Sequence, residues 1–224
     1  MRVVLVGLGG IGSHLAEPLA RTLQFAKSDL APRRLILIDG DAYDDRNRER
    51  QRVSAYANKA EATSEALRRL IPELEIESKP HFVEKKNVFV LIREGDIVFL
   101  AVDNHATRKL VSEHVGKLEN ALLISGGNEL YDGNIQVYER RGGKDLTHPI
   151  TWRHPEIENP KDRNPAEKSC EELHVEGEPQ ILAVNFVIAS LMLSAFTNWL
   201  RNGRSLYREQ FFDLVTGNAR AVKD

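Results

Sequence analysis

The sequence is poor in cysteine, with a single thiol at Cys170 among 224 residues. One cysteine cannot form an intrachain disulfide, and it cannot supply the paired Cys-x-x-Cys ligands of a structural zinc site. An excess of positive charge is also missing, because 31 lysines and arginines are set against 33 acidic residues. Surfaces that bind nucleic acid usually carry clustered lysine and arginine, so we expect no nucleic-acid partner.

A secretory leader is missing as well, since Met1 runs directly into the strand-like sequence Arg-Val-Val-Leu-Val-Gly. With no signal or transit features and one cysteine, the chain is predicted to be cytoplasmic. The longest apolar run, residues 181–200, has the length of a membrane span but contains five polar residues: Asn185, Ser190, Ser194, Thr197 and Asn198. Polar groups without partners are costly in lipid, so we predict a buried core helix and no membrane partner.

A glycine-rich turn is the first feature that the sequence does contain. An apolar strand at residues 3–6 leads into Gly7-Leu-Gly9-Gly10-Ile-Gly12, and apolar residues then recur at helical spacing. Glycines permit a tight turn and close approach of a phosphate, while the amino end of the helix offers unpaired N–H groups. Gly7, Gly9, Gly10 and Gly12 are therefore predicted to bind a nucleotide, although a strand-to-helix turn without a ligand has the same pattern.

A second apolar run, residues 35–38, ends in Asp39, where a doubly wound sheet places the acid that holds a ribose. Donor side chains follow within a dozen residues, at Asn47, Arg48, Arg50 and Gln51. Donors this close to a ribose acid suit the phosphates of a nucleoside triphosphate better than they suit nicotinamide. The pattern therefore predicts a nucleoside triphosphate as the ligand.

Lys59 stands in the first turn of the next predicted helix, residues 58–70. A lysine at this position opposes the helix macrodipole, so it is unfavourable for stability unless an anion lies in front of it. A phosphate of the nucleotide would be such an anion. The other interpretation, which stays open here, is a solvated lysine on an exposed helix face.

Asp103 is a second acid at the end of a predicted strand, residues 96–102, and it precedes a helix predicted to run to about residue 118. One interpretation is a helix N-cap, since Asp and Asn favour that position. The other is a magnesium ligand, because magnesium takes one or two protein carboxylates and completes its shell with phosphate and water. The two roles are compatible, and we assign Asp103 to magnesium and both Asp103 and Asn104 to nucleotide binding.

These elements predict a single α/β domain over residues 1–224, with a doubly wound, mostly parallel, Rossmann-like sheet and an antiparallel extension. Its nucleotide-binding core spans about residues 1–126, where Gly126-Gly127 would let the backbone pass close to something bound. A strand at 134–138 alternates in the antiparallel manner. A proline-rich loop follows at 140–179, and a long buried helix and a last strand occupy 180–216.

Five motifs, in this order, resemble those of the ThiF/MoeB/HesA family, which is related to the adenylating domain of ubiquitin-activating enzymes. They are Gly7-Leu-Gly9-Gly10-Ile-Gly12, Asp39-Gly-Asp41, Asn47-Arg-Glu-Arg50-Gln51, Asn58-Lys59-Ala60, and Asp103-Asn104 with Arg108. The end of the chain has Ser169-Cys170, then Gln180 to Asn185 and the long apolar helix. This part looks most like the small ThiF-type proteins of plasmid and mobile-element operons.

The resemblance implies ATP- and magnesium-dependent adenylation of the C-terminal carboxylate of a ubiquitin-like protein or peptide, carried out by a homodimer. Asp39 would bind the ribose, Asn47, Arg50 and Lys59 the phosphates, and Asp103 the magnesium. Arg50, Lys59 and Asp103 are thus the predicted catalytic residues. The attacking carboxylate is already ionised, so positioning and charge stabilisation are chemically sufficient.

The sequence also departs from the family pattern. It contains neither the zinc cysteine pairs nor, ahead of the first strand, the arginine that many members send into the partner subunit's site. Two other interpretations therefore stay open. One is a nucleotide-binding or interaction protein of the same fold without turnover. The remote one is an NAD-dependent dehydrogenase, in which Arg50, Lys59 and Asp103 would have no role.

Cys170 lies in the polar loop at 140–179, where a small apolar residue has no evident packing role. One hypothesis makes it a nucleophile that takes the activated carboxylate as a thioester, with His174 raising its thiolate fraction. Glu171 and Glu172 would act in the opposite direction. The alternative hypothesis is that Cys170 simply anchors the loop to the core.

Overall fold

Nine strands form one sheet in the part of the chain that this computed structural model describes, namely residues 1–27, 31–45, 48–52, 55, 57–167 and 181–223. The strands are β1 Val3–Val6, β2 Arg34–Ile38, β3 Glu75–Lys79, β4 Ile97–Leu100, β5 Ala121–Asn128, β6 Asp132–Arg141, β7 Lys144–Asp145, β8 Glu209–Asp213 and β9 Ala219–Val222. The α-helices are α1 Gly10–Phe25, α2 Lys59–Leu70, α3 Val88–Leu91, α4 His105–Val115, α5 Pro155–Glu158 and α6 Leu182–Asn202.

The sheet has a parallel half and an antiparallel half. Its order is β3-β2-β1-β4-β5-β6-β8-β9, with β7 paired to β6 off this path. The first five strands in that order are parallel, and every pairing from β5 to β9 is antiparallel. The predicted doubly wound, mostly parallel sheet with an antiparallel extension is confirmed.

Helices cover the parallel strands on both faces, which explains why these strands have continuous apolar sequences. Val3 and Leu5 point into one core, which α1, α2 and α6 complete. Val4 and Val6 point into the other core, against α3 and α4. Side chains alternate across a strand, so each residue of β1 is buried on one face or the other.

Helix α6 is long and apolar enough to cross a membrane by length and composition alone. In the fold it packs against α1, β5 and β6. Val184, Ile188 and Met192 are fully buried on that face. Leu182 and Phe186 are exposed on the helix, so it covers the core on one face and leaves apolar surface on another.

The glycine pair Gly126-Gly127 lies inside β5, and its close neighbours belong to the protein itself. A Cβ at Gly126 would lie 2.5 Å from the Met192 sulfur, and one at Gly127 would lie 3.1 Å from the Arg108 guanidinium. We predicted that the backbone passes close to something bound at these glycines, and the close neighbours that the structure shows are Met192 and Arg108. The small residues make room for α6 and for a buried arginine.

The region predicted as a loop contains structure as far as residue 167. It includes β7, α5 and a short 3-10 turn at Pro165–Glu167, and Ile150 and Ile157 are buried in it. Cys170 and His174 lie outside the described residues. Beyond the predicted last strand, a turn with Gly217 at φ 72° leads into β9, so the sheet extends past residue 216.

Candidate functional site

The predicted site residues lie along the carboxyl edge of the parallel strands. Val6 pairs with Ile38 on one side and with Leu100 on the other. The residues that follow these three strands therefore leave the sheet at one level. This register brings the glycine turn, Asp39 and the Asp103 segment to the same edge, as is typical of ligand sites in doubly wound sheets.

The glycines of the first turn divide into two kinds. Gly7 has φ 88°, and a Cβ there would lie 2.6 Å from the Ala101 carbonyl oxygen. A Cβ at Gly12 would overlap the Gly7 carbonyl oxygen. At Gly9 the nearest atom to an added Cβ is Nε2 of Gln51, at 4.0 Å. Gly7 and Gly12 are thus required by the turn itself, whereas Gly9 faces open space.

The amino end of α1 begins at Gly10, with Gly9 as its N-cap and no side-chain cap among the described residues. The first N–H groups of this helix are therefore available to an external acceptor. Backbone N–H groups and the partial positive charge at a helix amino end together favour an anion such as phosphate.

Asp39 joins the glycine turn to the end of β2. Its carboxylate accepts hydrogen bonds from the backbone N–H of Leu8 at 2.6 Å and of Asp41 at 2.9 Å. Burial raises the pKa of Asp39, while the charge of Lys59 and the two N–H donors oppose that rise. A carboxylate has about four acceptor positions, so each oxygen keeps capacity for a ribose hydroxyl.

Lys59 is buried beside this acid rather than solvated. It is 6% exposed, and its Nζ lies 2.5 Å from Oδ2 of Asp41. The surface interpretation of Lys59 is therefore wrong. An anion does lie in front of the lysine, and in this structure it is the half-exposed carboxylate of Asp41.

Asn58 sets the position of Lys59, a role that sequence reasoning missed. Its Oδ1 accepts from the N–H groups of Ala60 and Glu61, which caps α2. Its Nδ2 donates to the carbonyl oxygens of Asp39 and Asp41, both at 3.0 Å. An Asn at the first position of the predicted helix is the signal that could have shown the cap.

The turn at residues 48–52 lies over the start of α1. Gln51 is 8% exposed, its Nε2 faces Gly9, and its Oε1 has no hydrogen-bond partner within the described residues. Arg50 is half-buried in the same turn. Of the predicted donors, Gln51 is thus brought to the glycine turn, the Arg50 backbone lies against α1 and α6, and Asn47 lies outside the described residues.

Asp103 is exposed at the end of the β4 segment, and the neighbouring Asn104 caps α4. Oδ1 of Asn104 accepts from the Thr107 N–H at 2.8 Å. The capping role that we considered for Asp103 therefore belongs to Asn104. Sequence alone did not separate these two neighbours, because Asp and Asn cap about equally well.

Arg108 holds the ends of β4 and β5 together. Its buried guanidinium donates to Oγ of Ser125 at 2.8 Å and to the carbonyl oxygens of Val102 and Gly126, both at 2.6 Å. Burial lowers the pKa of Arg108 to about 10, and nearby carboxylates including Asp103 oppose that effect. This motif residue is held by strand ends rather than directed to solvent.

Asp162 reaches the same helix from the region predicted as a loop. Its carboxylate accepts from the backbone N–H of His105 at 2.6 Å and of Ala106 at 2.9 Å. Together with Asn104 it satisfies three N–H groups at the start of α4. No sequence signal could have shown this contact, since it joins residues far apart in the chain.

The described residues contain no group of three or more His, Cys, Asp or Glu side chains that could hold a metal. Asp103 offers an exposed carboxylate at this edge, beyond the end of β4. A single carboxylate suits magnesium that arrives with phosphates, because the phosphates and water fill the other positions. The donor set therefore fits nucleotide-bound magnesium better than a dedicated protein metal site.

Comparison with known proteins gives one family and several relatives. The model described as "ThiF family" matches residues 1–223. Adenylyltransferase and sulfurtransferase MOCS3 of Drosophila yakuba is 33% identical over 145 residues, covering 63% of this chain and 30% of that protein. The SAMP-activating enzyme E1 of Haloferax volcanii is 30% identical over 136 residues, covering 59% of this chain and 47% of that protein. The chain thus spans less than half the length of these relatives.

Two solved structures show the same fold at low sequence identity. E. coli MccB, solved with ATP, superposes with a TM-score of 0.73 at 18% identity, covering 99% of this chain and 62% of that chain. The structure of PaaA superposes with a TM-score of 0.71 at 15% identity, covering 99% and 63%.

Proposed function

Because this chain belongs to the ThiF family, we propose that it is an ATP-dependent adenylyltransferase that activates the C-terminal carboxylate of a ubiquitin-like protein or peptide. The relatives support this class of substrate, since one is named a SAMP-activating enzyme and MccB was solved with the peptide MccA. The observation that carries the proposal is that Asp39 and Gln51 both meet the glycine turn before α1, while Lys59 lies buried beside Asp39 and Asp41.

Each of these groups has a role in binding ATP. The phosphates lie against Gly9, Gly10 and the first N–H groups of α1, which are uncapped among the described residues. Asp39 accepts hydrogen bonds from the ribose. Lys59 turns from Asp41 to the phosphates, and the resemblance assigns Asn47 to them as well.

The chemical step is nucleotidyl transfer. A carboxylate oxygen of the substrate attacks the α-phosphorus of ATP, a new P–O bond forms, and the bond to the β-phosphate oxygen breaks to release pyrophosphate. Arg50 and Lys59 stabilise the charge that develops on the α-phosphate oxygens. Asp103 would hold magnesium, which would neutralise phosphate charge.

Calorimetry and pyrophosphate exchange test this function. We expect ATP with magnesium to bind and NAD not to bind, because the donors beyond Asp39 match phosphates. Labelled pyrophosphate should enter ATP only when the polypeptide substrate is present. Tight NAD binding without ATP binding would overturn the proposal, and ATP binding without exchange would favour a binding protein that lacks turnover.

The same reaction mixture tests the fate of the activated carboxylate. We propose that Cys170 accepts the activated carboxylate and forms a thioester. The reason for this proposal is its location in the proline-rich segment of the chain. Wild-type protein should then form an adduct with the substrate that reductant cleaves. If Cys170→Ala forms the adduct equally well, or wild type forms none, the enzyme stops at the adenylate.

We also propose a homodimer, which the exposed apolar side chains of α6 support. Phe186 is 52% exposed and borders a groove of about 450 Å³ with His14, Pro18 and Arg52. A second copy would cover this apolar surface. Light scattering at micromolar concentration should show a dimer for wild type and a monomer for Phe186→Asp, and a monomeric wild type would contradict the proposal.

A further inference from the structure

The turn that carries Arg50 and Gln51 is fastened to two helices by three side chains. His14 Nε2 of α1 donates to the Arg50 carbonyl oxygen at 3.2 Å, and Asn185 Nδ2 of α6 donates to the same oxygen at 3.3 Å. Ser13 Oγ accepts from the Arg52 N–H at 3.0 Å. The backbone on both sides of Gln51 is thereby held.

Asn185 is an unusual residue for its place in the core. It is fully buried in an apolar helix, and its Oδ1 accepts no hydrogen bond from the described residues. A buried acceptor without a partner lowers stability, and an apolar side chain of the same shape avoids that cost. Folding alone therefore gives no reason for an amide here, whereas the Arg50 carbonyl gives one.

His14 supplies the second donor to this oxygen. Its ring lies 4.3 Å from the ring of Phe186, which fixes its plane between α1 and α6. Burial is the main cause that lowers the pKa of His14, so the ring is neutral at neutral pH. A carbonyl oxygen can only accept, so the proton of the neutral ring lies on Nε2.

We propose that Asn185 and His14 are positioning residues that hold the Arg50 carbonyl and thereby keep the turn at residues 48–52, with the Gln51 side chain, over the amino end of α1. This inference rests on the proposed function, since it assigns the two residues to the ATP site. Neither residue contacts the phosphates. Both act through the backbone of the turn, and either donor partly replaces the other because they share one oxygen.

Steady-state kinetics of the exchange reaction test the proposal with Asn185→Leu, His14→Phe and the double variant. Leucine keeps the branched shape of asparagine, and phenylalanine keeps the ring against Phe186. We expect each single change to raise the KM for ATP about threefold, and the double change to raise it about 30-fold, more than the product of the two. The kcat should change less than KM, and Asn185→Leu should not lower the unfolding temperature.

Two matched controls separate positioning from general packing. His114→Phe removes a similar ring-to-carbonyl contact, from α4 to Ile92, and Asn202→Leu changes an exposed amide at the far end of α6. Both controls should keep the wild-type KM. If Asn185→Leu does not fold, Asn185→Ala replaces it in both the single and the double variant. A wild-type KM in the double variant would overturn the inference.

Deuterium uptake of the peptide that covers residues 48–52 measures how firmly the turn is held, and this measurement does not depend on enzyme activity. Uptake should be faster in the double variant than in wild type and unchanged in both controls, because the turn has lost its donors. Equal uptake in all proteins would refute the positioning role. A wild type without exchange activity counts against the proposed function alone, since the uptake result still decides the role of the two residues.

Discussion

Asp103→Asn is expected to lower magnesium-dependent exchange by about 100-fold or more and to leave the free energy of unfolding within about 0.5 kcal/mol of wild type. The carboxylate is exposed, and Asn104 rather than Asp103 caps α4, so the fold does not depend on it. The charge of Asp103 also acts on the buried Arg108 guanidinium, so unchanged stability together with lost exchange is the pattern that indicates a metal ligand. Exchange assays at several magnesium concentrations and urea unfolding of the same samples measure the two quantities.

Asn104→Ala should show the opposite pattern, in which stability falls and magnesium-dependent exchange is kept. It removes the cap and should lower stability by about 1 kcal/mol. Asp132→Asn, at an exposed carboxylate on β6, should change neither quantity. Full exchange activity in Asp103→Asn would show that this acid is not a magnesium ligand.

Gly12→Ala is expected to abolish ATP binding by distorting the glycine turn, at a cost of about 3 kcal/mol in unfolding free energy. Its Cβ would overlap the Gly7 carbonyl oxygen, and Gly7 cannot shift because its own backbone lies against Ala101. A backbone oxygen, unlike the end of a flexible side chain, has no alternative rotamer. Urea unfolding followed by circular dichroism measures the loss.

Gly9→Ala is the matched change in the same turn. Its Cβ would meet only Nε2 of Gln51 at 4.0 Å, so the protein should keep its wild-type stability. The methyl group nevertheless occupies the space where a phosphate would approach, and affinity for ATP should fall about tenfold, equivalent to about 1.4 kcal/mol. Equal stability of Gly12→Ala and Gly9→Ala would contradict the division between structural and ligand-facing glycines.

The parallel half of the sheet was predictable because buried strands have continuous apolar sequences. The sequence of β1, Val-Val-Leu-Val, and that of β4, Ile-Val-Phe-Leu, allow few other structures. Strand β9 was not predictable, since all of its residues are at least partly exposed and its sequence, Ala-Arg-Ala-Val, has no such pattern. Its extended conformation comes from pairing with β8, a tertiary effect that local propensity does not contain.

The site divides in the same way. The positions of Asp39 after a strand end and of Lys59 at the start of a helix were predictable, because both are visible in the sequence. Asp162 and Asn185 were not found as contacts, because they meet partners 57 and 135 residues away. Such contacts depend on how the elements pack, and no spacing rule within a single segment predicts them.

The place of β1 at the centre of the parallel strands determines the order in which the protein can assemble. Val3 pairs with Leu35 on one side and with Ile97 on the other. Closing these long loops costs chain entropy before the contacts offset it, which slows folding. On the ribosome, β1 has no second neighbour until β4 has been synthesised. Since Gly7 also lies against Ala101, the phosphate-facing turn takes its final shape only at that stage. Nucleotide therefore has no finished site to stabilise in shorter nascent chains.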